Sequence, residues 1–327
     1  MTTAPARSTD PVVSASGLTR RFGDRVAVAD LDLAITAGHA FGLLGPNGAG
    51  KTTTVRLLNG LLPPTSGSVT LFGEPLTPAS ADRLRARVGV QTDTNLYESL
   101  SVSENLRTWG RLYGLRGAAL DRRIDDVLDL LRLTDRTRSL VGELSKGMRQ
   151  KLSVGRAILH DPALLYLDEP TAGLDPEAAV ELLDHVREMM RTSGTTVVIC
   201  THQLYGLETL CDEVGIIAGG RMAVSGPVAA LIAQRWPRPE LTIDVVSEGE
   251  RAAAVVAGET GTTPERTGGR LRLTLPAGAQ PSAVVAALVR AGVDVAAVVP
   301  TQRTVQDLYF ATIDAGQARE DATEVAR

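Results

Sequence analysis

Apolar positions in the first part of the chain recur at two different periods. Residues 12–18 and 27–35 alternate apolar and polar, the spacing of strands with one face on a core. Residues 39–45, HAFGLLG, form a compact apolar run that ends at a glycine loop, as a buried strand would. Residues 51–59 switch to helical spacing, closed by Gly60. PPTSGS over 63–68 predicts a turn, and VTLFG over 69–73 another short strand. From about 95 to 162 the spacing becomes helical. SVSENLRTWGRLYGL, LDRRIDDVLDLLRL and KGMRQKLSVGRAILH each show an apolar stripe with a charged outer face. Strand and helix then alternate again: ALLYLDE, a helix over 176–192, TTVVICT over 195–201, a further helix, and EVGIIAGG.

The remaining third has its own pattern. QRWPRPE, residues 234–240, has the proline content of a linker. After it come LTIDVVS, a helix around 248–257, ERTGGRLRLTL with a hairpin turn at Gly268-Gly269, a helix around 281–290, and VDVAAVV. That β-α-β-β-α-β order predicts a small ferredoxin-like α+β domain over 241–315. A last helix, TVQDLYFATIDAG, leads into a polar tail over 316–327, and residues 1–11 read as a disordered N-terminal tail. The main α/β domain spans 12–233, and no internal repeat is present.

Composition narrows the classes. A length of 327 residues fits about two domains. With 43% hydrophobic residues but only 3% aromatic, burial must rest on Ala, Val, Leu and Ile. A net charge of -4 argues against nucleic acid as a partner held by bulk charge. Cys200 and Cys211 make neither a disulfide framework nor a metal-ligand spacing, and His39, His160 and His185 are scattered. The longest apolar stretch, SAVVAALVRAGVDVAAVVP, is broken by Arg290 and Asp294. The expectation is a chain that does not itself cross a membrane. MTTAPARSTDP lacks the apolar core of a signal peptide.

Candidate chemistry starts at GPNGAGKTT: Gly45, Pro46, Asn47, Gly48, Ala49, Gly50, Lys51, Thr52 and Thr53. The run fits the phosphate-binding pattern G-x-x-x-x-G-K-[ST] between a strand and a helix. Glycines let backbone N–H groups close around a phosphate, and the helix N-terminus adds a positive field. Lys51 would bridge the β- and γ-phosphates, and the Thr52 hydroxyl would ligate Mg²⁺, as in any P-loop ATPase or GTPase. The apolar strand LLYLDEP ends in Asp168, placed to hold the Mg²⁺ shell, and Glu169, placed to polarise an attacking water. Taken alone, those two carboxylates fit an acidic helix cap equally well.

Further pieces stand in order around these: Phe22 in RFGDRVAV, Gln91 at the end of RVGVQ, LSKGMRQ, AGLDP, and His202 at the end of VVICTHQ. Singly, each has a bland reading. Phe22 could be a turn aromatic, Gln91 solvated, and His202 a helix cap. Together, over roughly residues 12–228, they resemble the ATP-binding subunits of ABC transporters. The resemblance implies a P-loop ATPase domain with antiparallel β and helical subdomains, ATP and Mg²⁺ as ligands, and two partners. One partner is a separate transmembrane permease and the other a second copy of the chain. It also implies a peripheral place on the cytoplasmic membrane face. By that resemblance Phe22 stacks on adenine. Gln91 reaches Mg²⁺ and the attacking water. Ser145, Lys146, Gly147 and Met148 cap the γ-phosphate bound to the other subunit, and Gly173, Leu174 and Asp175 link the two sites. His202 contacts the γ-phosphate while Glu169 orients water.

The family pattern at the fourth piece is Leu-Ser-Gly-Gly-Gln, and here Lys146 and Met148 stand at its third and fifth places. Ser145 and Gly147 keep the hydroxyl and the close backbone approach. The variant resembles the drug-resistance, daunorubicin-exporter branch, as does a C-terminal segment like PTQRTVQDLYFATI. Efflux of a drug or other hydrophobic compound is then the expected work. A soluble ABC-type ATPase of translation or repair would bring two cassettes, coiled-coil arms or zinc modules. A P-loop kinase or GTPase leaves Gln91, Ser145, Asp175 and His202 without a reason.

Overall fold

The computed structural model describes residues 10–92, 96–204 and 206–325, with residues 316–325 described by backbone alone. Residues 1–9 of the expected N-terminal tail, and 326–327 of the expected C-terminal one, lie outside the described residues. The chain divides into two compact units, one running to Val228 and taking up the chain again from Tyr309, the other Ala229–Leu308.

In the first unit β1 (Pro11–Phe22) and β2 (Arg25–Thr36) form a long antiparallel hairpin. β3 (Ala40–Leu44) runs through the glycine loop into α1 (Lys51–Leu58). β4 (Ser66–Leu71), the short β5 (Glu74–Pro75), α2 (Ala81–Arg85) and β6 (Val88–Gln91) follow. The helical segment comprises α3 (Val102–Leu112), α4 (Gly117–Leu130) and α5 (Lys146–Ile158). β7 (Leu164–Asp168), α6 (Pro176–Ser193), β8 (Thr196–Thr201), α7 (Leu207–Leu210), β9 (Glu213–Ala218) and β10 (Arg221–Pro227) complete it, with α8 (Val228–Arg235) starting at the division.

Two sheets result. β2-β1-β4-β5 is antiparallel, and β10-β9-β3-β8-β7-β6 is parallel except for β10 at its edge. Every residue of β3 and β8 is buried, as a central parallel strand covered on both faces requires. Apolar residues of the hairpin (Val13, Leu18, Leu31, Ile35) join one core with Phe41 and Leu43 of β3 and Tyr166 of β7. The helices start where their sequences allow. Ser101 and Glu104 form a reciprocal capping box on α3, with 2.8 Å from the Ser101 N–H to the Glu104 carboxylate.

Several boundaries differ from the pattern-based expectation, each for a tertiary reason. β4 begins at Ser66, inside the expected turn, because Ser66 and Ser68 pair with Thr19 and Ser16 of β1. The helix expected after β8 is a single turn. β10 was not anticipated; its alternate residues are exposed, as on a sheet edge. α2 was also missed, being a short five-residue turn of helix. Gln234 and Arg235 of the expected linker are helical, and Glu240 already belongs to a strand.

In the second unit β11 (Glu240–Val245), α9 (Gly249–Thr260), β12 (Glu265–Thr267), β13 (Arg270–Thr274), α10 (Pro281–Arg290) and β14 (Val295–Pro300) follow in order. Their sheet runs β12-β13-β11-β14 with every neighbour antiparallel. Leu241, Ile243, Leu271 and Leu273 face Val256, Val284 and Leu288 of the two helices in a separate core. α11 (Val305–Val325) extends helix through most of the stretch expected to be a polar tail.

Candidate active site

The loop between β3 and α1 is shaped by backbone crowding. A Cβ on Gly45 would overlap the Ile217 carbonyl, and Gly50 sits at φ 107° with the Ala27 carbonyl against it. Only glycine fits either position. Gly50 gives α1 no side-chain cap, so its first-turn N–H groups stay available to an anion. Lys51 is buried at the helix start, and its Nζ donates to the Gly45 carbonyl at 2.7 Å and the Pro46 carbonyl at 3.3 Å.

Strand order then brings distant residues to one edge. Because β3, β8 and β7 are adjacent, the Thr52 hydroxyl reaches Asp168, 116 residues away, donating at 3.3 Å to its carboxylate. Burial pushes the Asp168 carboxyl above its usual range and Glu169 adds to this, against the Thr52 hydrogen bond and the Lys51 and Arg56 charges. Gln91 ends β6 opposite Leu167 and is 1% exposed; its side-chain oxygen has no partner among the described residues. A hydroxyl, one carboxylate and an orphaned amide oxygen are the hard donors that suit Mg²⁺ carried in with a nucleotide. The residues fit that ion.

Glu169 lies just beyond β7 at φ 49°, a left-handed conformation that costs a non-glycine residue about 1–3 kcal/mol. Its backbone is held from two sides: its N–H donates to the Cys200 carbonyl at 2.8 Å, and Gln150 Nε2 donates to its carbonyl at 3.3 Å. Its carboxylate accepts from the Thr201 hydroxyl at 2.9 Å and the His202 N–H at 3.0 Å, and meets His202 Nδ1 at 2.6 Å. The Thr201 hydroxyl in turn accepts from the Gln203 N–H at 2.9 Å, and Thr171 Oγ1 donates to Gln203 Oε1 at 2.8 Å. A carboxylate so fixed can take a proton from water in one defined direction.

A cavity of about 510 Å³ opens beside these groups. Asn47, Gly48, Gly50, Lys51, Thr52 and Thr53 form its floor, with Asp168 and Glu169 at one side. Phe22, 46% exposed at the hairpin end, and Arg25, its cross-strand partner, form the other. Pro46 and Ala49 belong to the loop itself.

Ser145, Lys146, Gly147, Met148 and Asp175 do not line this cavity. Ser145 is the N-cap of α5, accepting from the Met148 N–H at 3.2 Å, and Asp175 is the N-cap of α6, accepting from the Ala178 N–H at 2.9 Å. The two caps approach one another within the chain. The Lys146 side chain lies over Gly173, and Gly147 faces the Leu174 side chain closely.

Sequence reasoning missed Thr201, Gln150, Arg25 and Thr92. Thr201 and Gln150 carried a signal, one a hydroxyl beside His202 and the other within the quoted LSKGMRQ run. Arg25 and Thr92 carried none.

A family model described as "ABC transporter" matches residues 28–172. The chain is 46% identical over 234 residues to the Nod factor export ATP-binding protein I of Cupriavidus pinatubonensis, covering 70% of this chain and 71% of that one. It is 36% identical over 216 residues to the linearmycin resistance ATP-binding protein LnrL of Bacillus subtilis, covering 66% and 69%. Among solved structures, cbiO1 of Clostridium perfringens, part of an ABC transporter complex, matches with a TM-score of 0.64 and 27% identity over 69% of this chain and 92% of that one. Another ATP-binding subunit of an ABC transporter matches with a TM-score of 0.63 and 32% identity over 68% and 93%. With this fold, this loop and these relatives, the chain belongs to the ATP-binding proteins of ABC transporters, on a branch whose named members serve export and drug resistance.

Proposed function

We propose that two copies of this chain bind two ATP molecules between them and use their hydrolysis to drive a separate membrane permease. The observation that carries the pairing is the separation of the two half-sites. Ser145 and the first turn of α5 that it caps do not line the cavity formed by Lys51, Thr52, Asp168 and Glu169 of the same chain. A helix N-terminus with no acidic residue in its first turn suits a phosphate, and the phosphate it would meet is the γ-phosphate held by a second copy.

In this reading Lys51 and the loop N–H groups hold the β- and γ-phosphates. Glu169, aimed by Thr201 and His202, accepts a proton from the water that attacks the γ-phosphate in line. His202 has Nδ1 against Glu169, so a bond from Nε2 to a phosphate oxygen requires the doubly protonated ring. Thr52, Asp168 and Gln91 would hold Mg²⁺, which neutralises charge on the phosphates. Phe22 receives the base.

The permease takes the cytoplasmic side of the membrane as this subunit's place. Among the described residues no helix is long and apolar enough to cross a membrane. Beside β6, the strand that carries Gln91, Val88, Val90, Leu61, Leu112 and Tyr113 line a cavity of about 420 Å³, with Leu61 and Leu112 largely exposed. Its continuity with the Gln91 strand supports a cytoplasmic segment of the permease as its occupant. The cargo is a drug or other hydrophobic compound, a reading supported by the export and resistance functions in the relatives' names.

Glu169→Gln tests the pairing and the chemistry together. It should bind ATP, barely hydrolyse it, and accumulate as a closed dimer on sizing. Rapid turnover with no dimer would refute the role of Glu169. Transport assays with the copurified membrane partner identify the cargo.

A further inference from the structure

Phe22 presents an unusual problem for a base-stacking residue. It stands half-exposed at the last position of β1, beside the Gly23-Asp24 turn, where no core packing orients its ring. Arg20, two residues earlier and on the same strand face, places its guanidinium 4.7 Å from the ring centroid. Arg20 is itself anchored, Nη1 donating to the Pro63 carbonyl at 2.8 Å in the segment before β4. Its Nε is buried with no hydrogen-bond partner among the described residues. Phe22 and Arg25 line the nucleotide cavity and Arg20 does not.

We infer that Arg20 is a positioning residue for the nucleotide base: it backs Phe22 on the face turned from the cavity and holds the opposite face ready to stack. This rests on the nucleotide-site reading above. The guanidinium does two things here. It restricts the ring's rotamers before the base arrives, lowering the ordering cost of binding. Its anchor at Pro63 ties the exposed hairpin end to the neighbouring strand of the same sheet. Arg20 does not line the nucleotide cavity, so its effect falls on affinity for the base through Phe22.

The test is Arg20→Met, which keeps the aliphatic stem and removes the planar cation, compared with Arg20→Lys. KM and kcat for MgATP are measured, together with competition by ATP and by inorganic tripolyphosphate, which has no base. Arg20→Met should raise the KM for ATP about two- to fivefold, the loss of an exposed cation–π contact converted at 1.4 kcal/mol per decade. The kcat and the affinity for tripolyphosphate should stay unchanged, and Arg20→Lys should recover part of the loss. In a Phe22→Ala background the Arg20→Met change should add nothing. Unchanged ATP affinity, or equal weakening of ATP and tripolyphosphate, would overturn the inference. Failure of the unsubstituted protein to bind MgATP would instead overturn the nucleotide-site reading itself.

Discussion

Replacing Thr201 with Val isolates what holds the Glu169 carboxylate, the proposed general base, in place. Thr201 is 3% exposed at the end of β8, and its hydroxyl joins two hydrogen bonds, donating to Glu169 Oε2 at 2.9 Å and accepting from the Gln203 N–H at 2.9 Å. Valine keeps the shape and loses both. A hydrogen bond to a charged group contributes about 1.5–3 kcal/mol. His202 still holds Oε1 through its N–H and ring, so the carboxylate stays in the site but can turn about that anchor. Carried into the rate at about 1.4 kcal/mol per decade, the loss predicts kcat down about 10- to 100-fold. Thr201 does not line the nucleotide cavity, so the KM for ATP should stay within about twofold. Gln203 is exposed, so its freed N–H can turn to water and the melting temperature should change little. Steady-state phosphate release and a thermal melt measure both, and Thr201→Ser, which keeps the hydroxyl, should retain most of the rate. A kcat within about twofold of the unsubstituted enzyme in Thr201→Val, or a KM rising in step with the rate loss, would refute the assignment of Thr201 as the clamp on Glu169.

Two further outcomes follow from the geometry. If, as proposed, α5 meets the nucleotide of a second copy, Ser145→Arg puts a bulky side chain there, so hydrolysis should vanish while equilibrium ATP binding by the single chain survives; normal hydrolysis would sink the trans-site reading. His160 stacks on Tyr113 with centroids 3.7 Å apart, its Nε2 donates to the Val88 carbonyl at 3.2 Å, and burial holds its pKa below the ordinary value near 6.5. The unfolded chain therefore takes up the proton first: this part of the stability is complete above about pH 6.5 and falls as pH drops below it. Melting curves between pH 7.5 and 5.5 should show a shallower acid slope for His160→Gln, and an unchanged slope would refute the role of burial.

Much of the site was legible because its parts are local. GPNGAGKTT needs only a strand, a glycine turn and a helix start, and the backbone crowding at Gly45 and Gly50 explains why those glycines are there. Ser145 and Asp175 were readable for a second reason, since each is also a helix cap whose spacing to Met148 and Ala178 is written in the chain. Boundaries failed where pairing overrode composition. Ser66 and Gly67 look like a turn but are held in β4 by β1, and the alternation in β10 was short enough to pass unnoticed.

By itself, then, the sequence determined most element types, the glycine loop and the acidic strand end, because each depends on spacing within one segment, and the family, because its motifs stand in order along the chain. Tertiary structure alone decided the order β9-β3-β8-β7-β6, and with it which strand ends share an edge. That order puts Thr52 against Asp168 and Thr201 and His202 around Glu169, contacts spanning 116, 32 and 33 residues. No period along the chain encodes such neighbours; they exist only once parallel strands have paired across their helical crossovers.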